Sequence, residues 1–207
     1  MGMSKKDLQL MTLIFASNNQ HKIEELKAFS KNEMEIISLK EAGIDIDIPE
    51  PHDTLEENAS EKSWTIYKLT NKDCFSEDTG LEIEALNGEP GVKSARYAGE
   101  GRSFKDNIEK VLNKLSSHSN KRARFRAVIS LIMDGKETQF EGICNGKIID
   151  ISTGLEGFGY DPIFIPDAGN RTFAEMSIEE KNEFNHRTKA AAKLVAYLQT
   201  IRSNSRI

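Results

Sequence analysis

A chain of 207 residues, 38% hydrophobic and 29% charged, has the balance of one globular folding unit, long enough for a substantial core or two lobes sharing a cleft, and this excludes a disordered or membrane-spanning chain. The net charge of −5 gives no general attraction for a polyanion such as DNA, so no nucleic-acid partner is expected, although a local basic pocket can still hold one small anion. Cys74 and Cys144 stand apart with no CxxC, which reads as two reduced thiols and argues against a disulfide scaffold or a zinc site.

Residues 1–9 read as a loose leader, with no continuous apolar stretch before Asp7 and Gln9, so they do not look like a secretory signal. No apolar run is long enough to cross a bilayer, and the expected location is the cytoplasm. Residues 10–16, LMTLIFA, are unbroken apolar and predict a buried strand. Ser17, Asn18, Asn19, Gln20, His21 and Lys22 follow as a polar turn, after which Ile23, Leu26 and Phe29 share one helical face. A strand, a turn and a helix start gather unpaired N–H groups and the positive end of the helix dipole, a natural seat for phosphate. His21 and Lys22 oppose that dipole, and an anion would remove the conflict; the structural alternative is a helix capped by Ser17 or an Asn, with Lys22 in solvent. No Walker-type glycine loop is present, which makes a P-loop NTPase an unsuitable reading.

Residues 35–39 predict a second strand, and 43–51, GIDIDIPEP, a stiff extended loop that pins Glu50 between two prolines. Glu50 could complete a metal site begun by Asp78, or be a solvated loop acid. Residues 54–69 predict a helix with Leu55, Ala59, Ile66 and Leu69 on one face and a Thr54–Glu57 capping box, which gives Glu56, Glu57 and Asn58 a structural explanation. Next, Glu77, Asp78 and Thr79 read as an acidic pair and a hydroxyl at the end of an apolar strand, where turn chemistry begins. They offer only oxygen ligands, which suits Mg²⁺ better than Zn²⁺; an ordinary acidic turn is the alternative. Residues 81–86 alternate as a separate strand, and Asn87-Gly88 and Pro90-Gly91 reverse the chain.

Residues 103–115 carry Phe104, Ile108, Val111, Leu112 and Leu115 on one stripe, a helix that should cover a sheet. Residues 123–151 predict a three-strand meander with turns at Asp134-Gly135 and Asn145-Gly146, and the alternating Arg122, Arg124 and Arg126 read as a solvated edge in preference to a substrate clamp. In the glycine-rich loop 153–166, Phe158 and Tyr160 flank Gly159 and have room to present a ring to a base, with packing on a strand the alternative for one of them; Pro162 holds Asp161 extended. Ser177 and Glu180 form a capping box for a short helix containing Lys181, and Asn185 can cap a last helix with Ala191, Leu194, Val195, Leu198 and Ile201 inside. His186 and Arg187 fall in its first turn, a second helix start loaded with cations, and a polyphosphate bridging the two starts would satisfy both.

The blocks ASNNQHKIEE, SEDTGLEIEALNGEPGVKSARYAGE, GFGYDPIF and EEKNEFNHR, in order over about residues 13–198, resemble the signature segments of the inosine triphosphate pyrophosphatase family. The resemblance implies an α/β fold with an elongated mixed sheet flanked by helices, two lobes around a central cleft, and usually a homodimer. It also implies Mg²⁺-dependent cleavage of ITP, dITP or XTP to the monophosphate and pyrophosphate. On that basis Ser17 to Lys22 match the phosphate-binding turn, Asp78 the catalytic acid that also meets the metal, and Glu50 a metal-associated acid placed by spacing. Thr79 matches a substrate-contacting hydroxyl, Phe158, Gly159, Tyr160 and Asp161 the base-binding loop, and Lys181, His186 and Arg187 the remaining nucleotide contacts. Asn18 stands where glycine is frequent and Glu77 where Asp is common, which leaves Glu77 open as a metal ligand. The implied mechanism has Asp78 orient or deprotonate the attacking water, Lys22 and the helix ends stabilise departing pyrophosphate, and donors to the purine 6-keto oxygen exclude amino purines. A Maf-like pyrimidine nucleotide pyrophosphatase and a non-catalytic nucleotide-sensing module are the two other readings.

Overall fold

The structure is a computed structural model that describes residues 10–204, so the predicted leader at 1–9 lies outside the described residues. Its elements are β1 (Met11–Phe15), α1 (Gln20–Ser30), β2 (Met34–Ser38), α2 (Leu55–Thr70), β3 (Cys74–Ile83), β4 (Pro90–Gly91), α3 (Phe104–Leu115), β5 (Arg122–Met133), β6 (Lys136–Ile148), β7 (Phe164–Pro166), α4 (Ile178–Asn182) and α5 (His186–Asn204). The strands form one mixed sheet in the order β2-β1-β3-β5-β6-β7, with β4 paired to β3. β1 runs parallel to β2 and β3, whereas β5, β6 and β7 continue antiparallel. Among the described residues no helix is long and apolar enough to cross a membrane.

Side chains alternate across the long strands, so the two faces of the sheet bury different helices. Phe75, Ala127, Ile129 and Leu131 pack with Leu26 of α1 and Leu194 of α5. On the other face Cys74 and Ile132 pack with Ile66 of α2, and Val128 packs with Leu55 and Ala59 of the same helix. Further along the strands, Leu81, Ile83, Ala123 and Phe125 join Val111 and Leu115 of α3 in a separate cluster. The acidic segment of β3 therefore lies between two apolar cores.

Three local expectations are corrected. Glu77 to Gly80 is no turn: β3 runs unbroken from Cys74 to Ile83, and all ten of its residues pair with β5. Gly80 is there for close approach, because a Cβ would stand 2.6 Å from the Gly91 carbonyl oxygen on β4. Asn145-Gly146 is likewise no hairpin turn. β6 passes through it while pairing with Arg124 and Ala123, and Gly146 lies flush against Ile165 of β7; Asp134-Gly135, both at positive φ, makes the turn that the sequence predicts. Finally, the three arginines lie on the interior strand β5, where Arg124 pairs with Glu82, Arg122 with Glu84, and Arg126 with Glu56, Glu141 and Glu82.

The caps follow the sequence closely. Asn19 caps α1 through the Lys22 N–H, Asn185 accepts from the Thr188 N–H, and Ser177 with Glu180 forms a complete capping box. Thr54 caps α2 through the Glu57 N–H, but its own hydroxyl occupies the Glu57 carboxylate, so the reciprocal half of that box is not made. Leu69 points outward at 59% exposure and drops out of the α2 stripe.

Candidate active site

β1 is short and pairs with β3 only at Cys74 and Phe75, while β4 takes up the same edge again at Leu81 and Glu82. Between those contacts the edge of β3 is open, at the carboxyl end of the parallel pair, where ligands bind in open α/β sheets. A cleft of about 330 Å³ fills this gap. It is lined by Ser17, Asn18, Asn19 and Lys22 from the first turn, Glu50 from the proline-flanked loop, Glu77, Asp78 and Thr79 from β3, Phe158, Gly159 and Tyr160 from the glycine-rich loop, and Arg187 from α5.

Successive residues of a strand point to opposite faces, and this separates the acidic pair. Glu77 faces α1 and α5, where Lys22 Nζ lies 2.7 Å from one carboxylate oxygen and an Arg187 nitrogen 3.4 Å from the other; the Thr79 hydroxyl also donates to it. Burial raises the Glu77 pKa, but Arg187 and Lys22 outweigh it and hold the carboxyl below its usual range. Asp78 faces α2, where Lys62 Nζ lies 2.8 Å from Oδ1 and, at the same time, 2.6 Å from a Glu50 oxygen. Burial dominates at Asp78 and pushes its carboxyl up to about 6 against the pull of Lys62, while at Glu50 burial is outweighed by Lys62 and the pKa falls to about 2. The Glu77 carbonyl projects from the open edge of β3, and both lysines reach it: Lys62 at 3.0 Å and Lys22 at 3.5 Å. Two ammonium groups thus converge from opposite faces of the sheet beside Asp78.

The expected three-acid oxygen cluster is corrected by this arrangement. Glu77 is engaged by cations on the face opposite Asp78, and among the described residues no three His, Cys, Asp or Glu side chains gather closely enough to hold a metal by themselves. Glu50 and Asp78 remain together, bridged by the Lys62 ammonium, so positive charge is accommodated between them.

Some predicted residues do not line the cleft as it stands with His21 on Phe158. Gln20 hydrogen-bonds Glu24 at the helix surface, and His21 stacks on Phe158 with ring centroids 5.0 Å apart. Lys181 is buried between Glu25 at 2.7 Å and Asp161 at 2.6 Å; Asp161 also accepts the Phe158 N–H and fills the space where a Cβ on Gly157 would stand. These contacts fix the loop that carries Phe158, and the Tyr160 hydroxyl ties its other end to the Ser94 carbonyl at 2.9 Å. His186 lies in the core, stacked on Phe125 at 4.8 Å, and neither ring nitrogen has a hydrogen-bond partner among the described residues. Burial, reinforced by Arg187 and Lys181, lowers its pKa well below the usual histidine value and keeps it neutral. Arg187 is held from behind by Glu25.

Lys62 and Arg102 also line the cleft and were not singled out from the sequence, and Phe104, expected on the covered stripe of α3, is exposed and lines it too. Lys62 had a readable signal: it falls on the stripe of Leu55, Ala59 and Ile66, where an unpaired lysine would be costly.

A sheet whose parallel strands end in a cleft lined by lysines, an acid pair and an aromatic loop defines an α/β protein with a candidate site for a nucleotide. The Ham1 family model matches residues 13–197, and the chain belongs to that family. It is 46% identical to the dITP/XTP pyrophosphatase of Flavobacterium johnsoniae over 91% of this chain and 98% of that one, and 47% identical to the dITP/XTP pyrophosphatase of Porphyromonas gingivalis over 90% and 96%. The Ham1 protein structure from Staphylococcus aureus superposes with a TM-score of 0.82 at 43% identity, covering 91% of this chain and 98% of that one. The HAM1 protein structure from Coxiella burnetii gives 0.83 at 34% identity, covering 92% and 100%.

Proposed function

We propose that this protein hydrolyses non-standard purine nucleoside triphosphates, ITP, dITP and XTP, to the monophosphate and pyrophosphate. The observation that carries the reading is the convergence of Lys22 and Lys62 on the Glu77 carbonyl beside Asp78, in a cleft that the Phe158 ring also lines. Cations and an aromatic platform in one cleft match a triphosphate joined to a flat base. The names of the curated relatives, dITP/XTP pyrophosphatases that align over nearly their whole length, support the same substrates.

In this reading the α1 start, capped by Asn19, presents its free N–H groups and Lys22 to the phosphates. Asp78 accepts the proton of the attacking water, Lys62 keeps Asp78 in place, and Arg187, held by Glu25 and Glu77, fixes the floor of the base pocket. The metal expected is Mg²⁺. Glu50 and Asp78 supply hard oxygen donors and already tolerate a positive charge between them, which fits an ion held by two carboxylates and completed by substrate phosphates. When bound, it would neutralise phosphate charge and lower the pKa of a coordinated water. The reading extends to one domain of two lobes, a homodimer and a cytoplasmic location, the last supported by the two buried free thiols.

The test is a panel of ITP, dITP, XTP, ATP, GTP and dTTP with purified protein, with and without Mg²⁺, read by pyrophosphate release. Turnover confined to the first three and dependent on the metal is expected. Preference for dTTP would replace the reading with a pyrimidine-directed enzyme, and saturable binding without product would replace it with a sensing module.

A further inference from the structure

Phe158 is the ring on which a base would stack, and it already has company. His21 lies against it with centroids 5.0 Å apart and planes 9° from parallel, while the Lys181 ammonium and the Arg187 guanidinium stand over the same ring at 5.0 and 5.5 Å from its centroid. These three partners differ in how firmly they are held. Lys181 and Arg187 are buried and locked by Glu25, Asp161 and Glu77. His21 is exposed in the first turn of α1, and among the described residues its ring makes no hydrogen bond or ion pair. An incoming aromatic ring can therefore displace His21 and cannot displace the two cations at comparable cost.

We propose that His21 is a placeholder for the base: its imidazole covers Phe158 in the free enzyme and must leave the ring before a purine can stack there. The inference rests on the base-binding role given to Phe158 above. It makes the α1 start a link between the two ends of the site, since His21 adjoins Lys22, and Lys22 sits at the phosphate end. The covered state is closed to the base, so apparent affinity for nucleotide is reduced by the fraction of molecules in it. Purines, with more stacking area than an imidazole, win the exchange more readily than pyrimidines do.

The experiment follows the His21 ring protons by NMR, assigned with H21A, while IMP or inorganic tripolyphosphate is titrated in. The Phe158 ring current should shift the free-enzyme signal upfield. IMP should move it to the exposed-imidazole position, and tripolyphosphate, having no ring, should leave it shifted. In parallel, H21A should bind IMP roughly two- to tenfold more tightly, the scale of one aromatic stack, and should lower KM for ITP by a similar factor. A His21 signal that stays shifted at saturating IMP, its release by tripolyphosphate, or weaker IMP binding by H21A would each overturn the proposal. Because wild-type turnover of ITP is measured in the same samples, loss of this inference is distinguishable from loss of the proposed activity.

Discussion

The Lys62 ammonium lies 2.8 Å from the Asp78 carboxylate, a contact between α2 and β3 buried on both sides. It joins the helix on one face of the sheet to the acid in the middle of the β3–β5 pairing, and it makes Asp78 a charged group that burial alone would disfavour. The contact gives the first prediction. Asp78→Asn removes the proton acceptor but leaves Lys62 its partner Glu50, so ITP turnover should fall by about 10²–10⁴-fold while the unfolding midpoint in urea stays near wild type. Near-normal turnover in this variant would take Asp78 out of the mechanism.

Lys62→Met reverses the stakes, because it leaves Glu50 and Asp78 facing each other with no cation between them. Breaking a buried pair on one side costs about 3–5 kcal/mol, and urea unfolding should show a loss of that order. The double variant K62M/D78N should recover part of it, since only one acid then remains. Additive losses in the cycle would show that the two side chains do not interact.

Arg102 differs from the other cations of the cleft. Lys22, Lys62 and Arg187 each hold acids, whereas among the described residues the Arg102 side chain has no ion-pair or hydrogen-bond partner, and its backbone sits at φ 50. An unpaired guanidinium at the cleft has its charge free for an anionic substrate. Arg102→Ala should raise KM for ITP about three- to tenfold with kcat unchanged, and added salt should shrink the difference. Equal KM values at low salt would remove Arg102 from substrate binding.

These predictions draw on residues that the sequence exposed unevenly. The start of α1, the caps at Asn19, Asn185 and Ser177, and the stripes of α3 and α5 depend on neighbours a few positions away, and local periodicity reveals such things. The continuity of β3 through Glu77-Asp78-Thr79-Gly80 depends on β5 lying alongside it and on β4 crossing at Gly80, contacts between distant segments that make turn-forming residues into strand. Glu25 was invisible for the same reason: its partners Lys181 and Arg187 are more than 150 residues away.

That cluster carries a pH prediction. Burial raises the Glu25 pKa, yet Arg187 and Lys181 outweigh it and leave the folded value below 4.5. A carboxyl depressed in the folded state stabilises fully above its unfolded pKa and loses that contribution as pH falls through the folded value. Glu25→Gln should therefore cost about 3–5 kcal/mol at pH 7, because two buried cations lose a counter-charge, and the gap to wild type should narrow as pH drops below 4.5. Urea unfolding at several pH values checks this, and a gap that widens in acid would reverse the sign assigned to Glu25.

Gly142 on β6 supports Arg187 from the other side. A Cβ at this position would collide with the His186 carbonyl and the Ala190 backbone nitrogen, both in the first turns of α5, and neither can swing aside as a flexible side chain could. Gly142→Ala must push the start of that helix off the sheet and draw Arg187 away from Glu25 and Glu77, so it should cost about 1–3 kcal/mol and weaken ITP turnover together. Gly159→Ala is the contrast: nothing lies within 4 Å of its would-be Cβ, and the cost is confined to a φ of +63 that side chains tolerate poorly, about 1–2 kcal/mol. Thermal unfolding and ITP kinetics on both variants separate the two effects. If G142A keeps wild-type stability and activity, the close packing of α5 on β6 does not position Arg187.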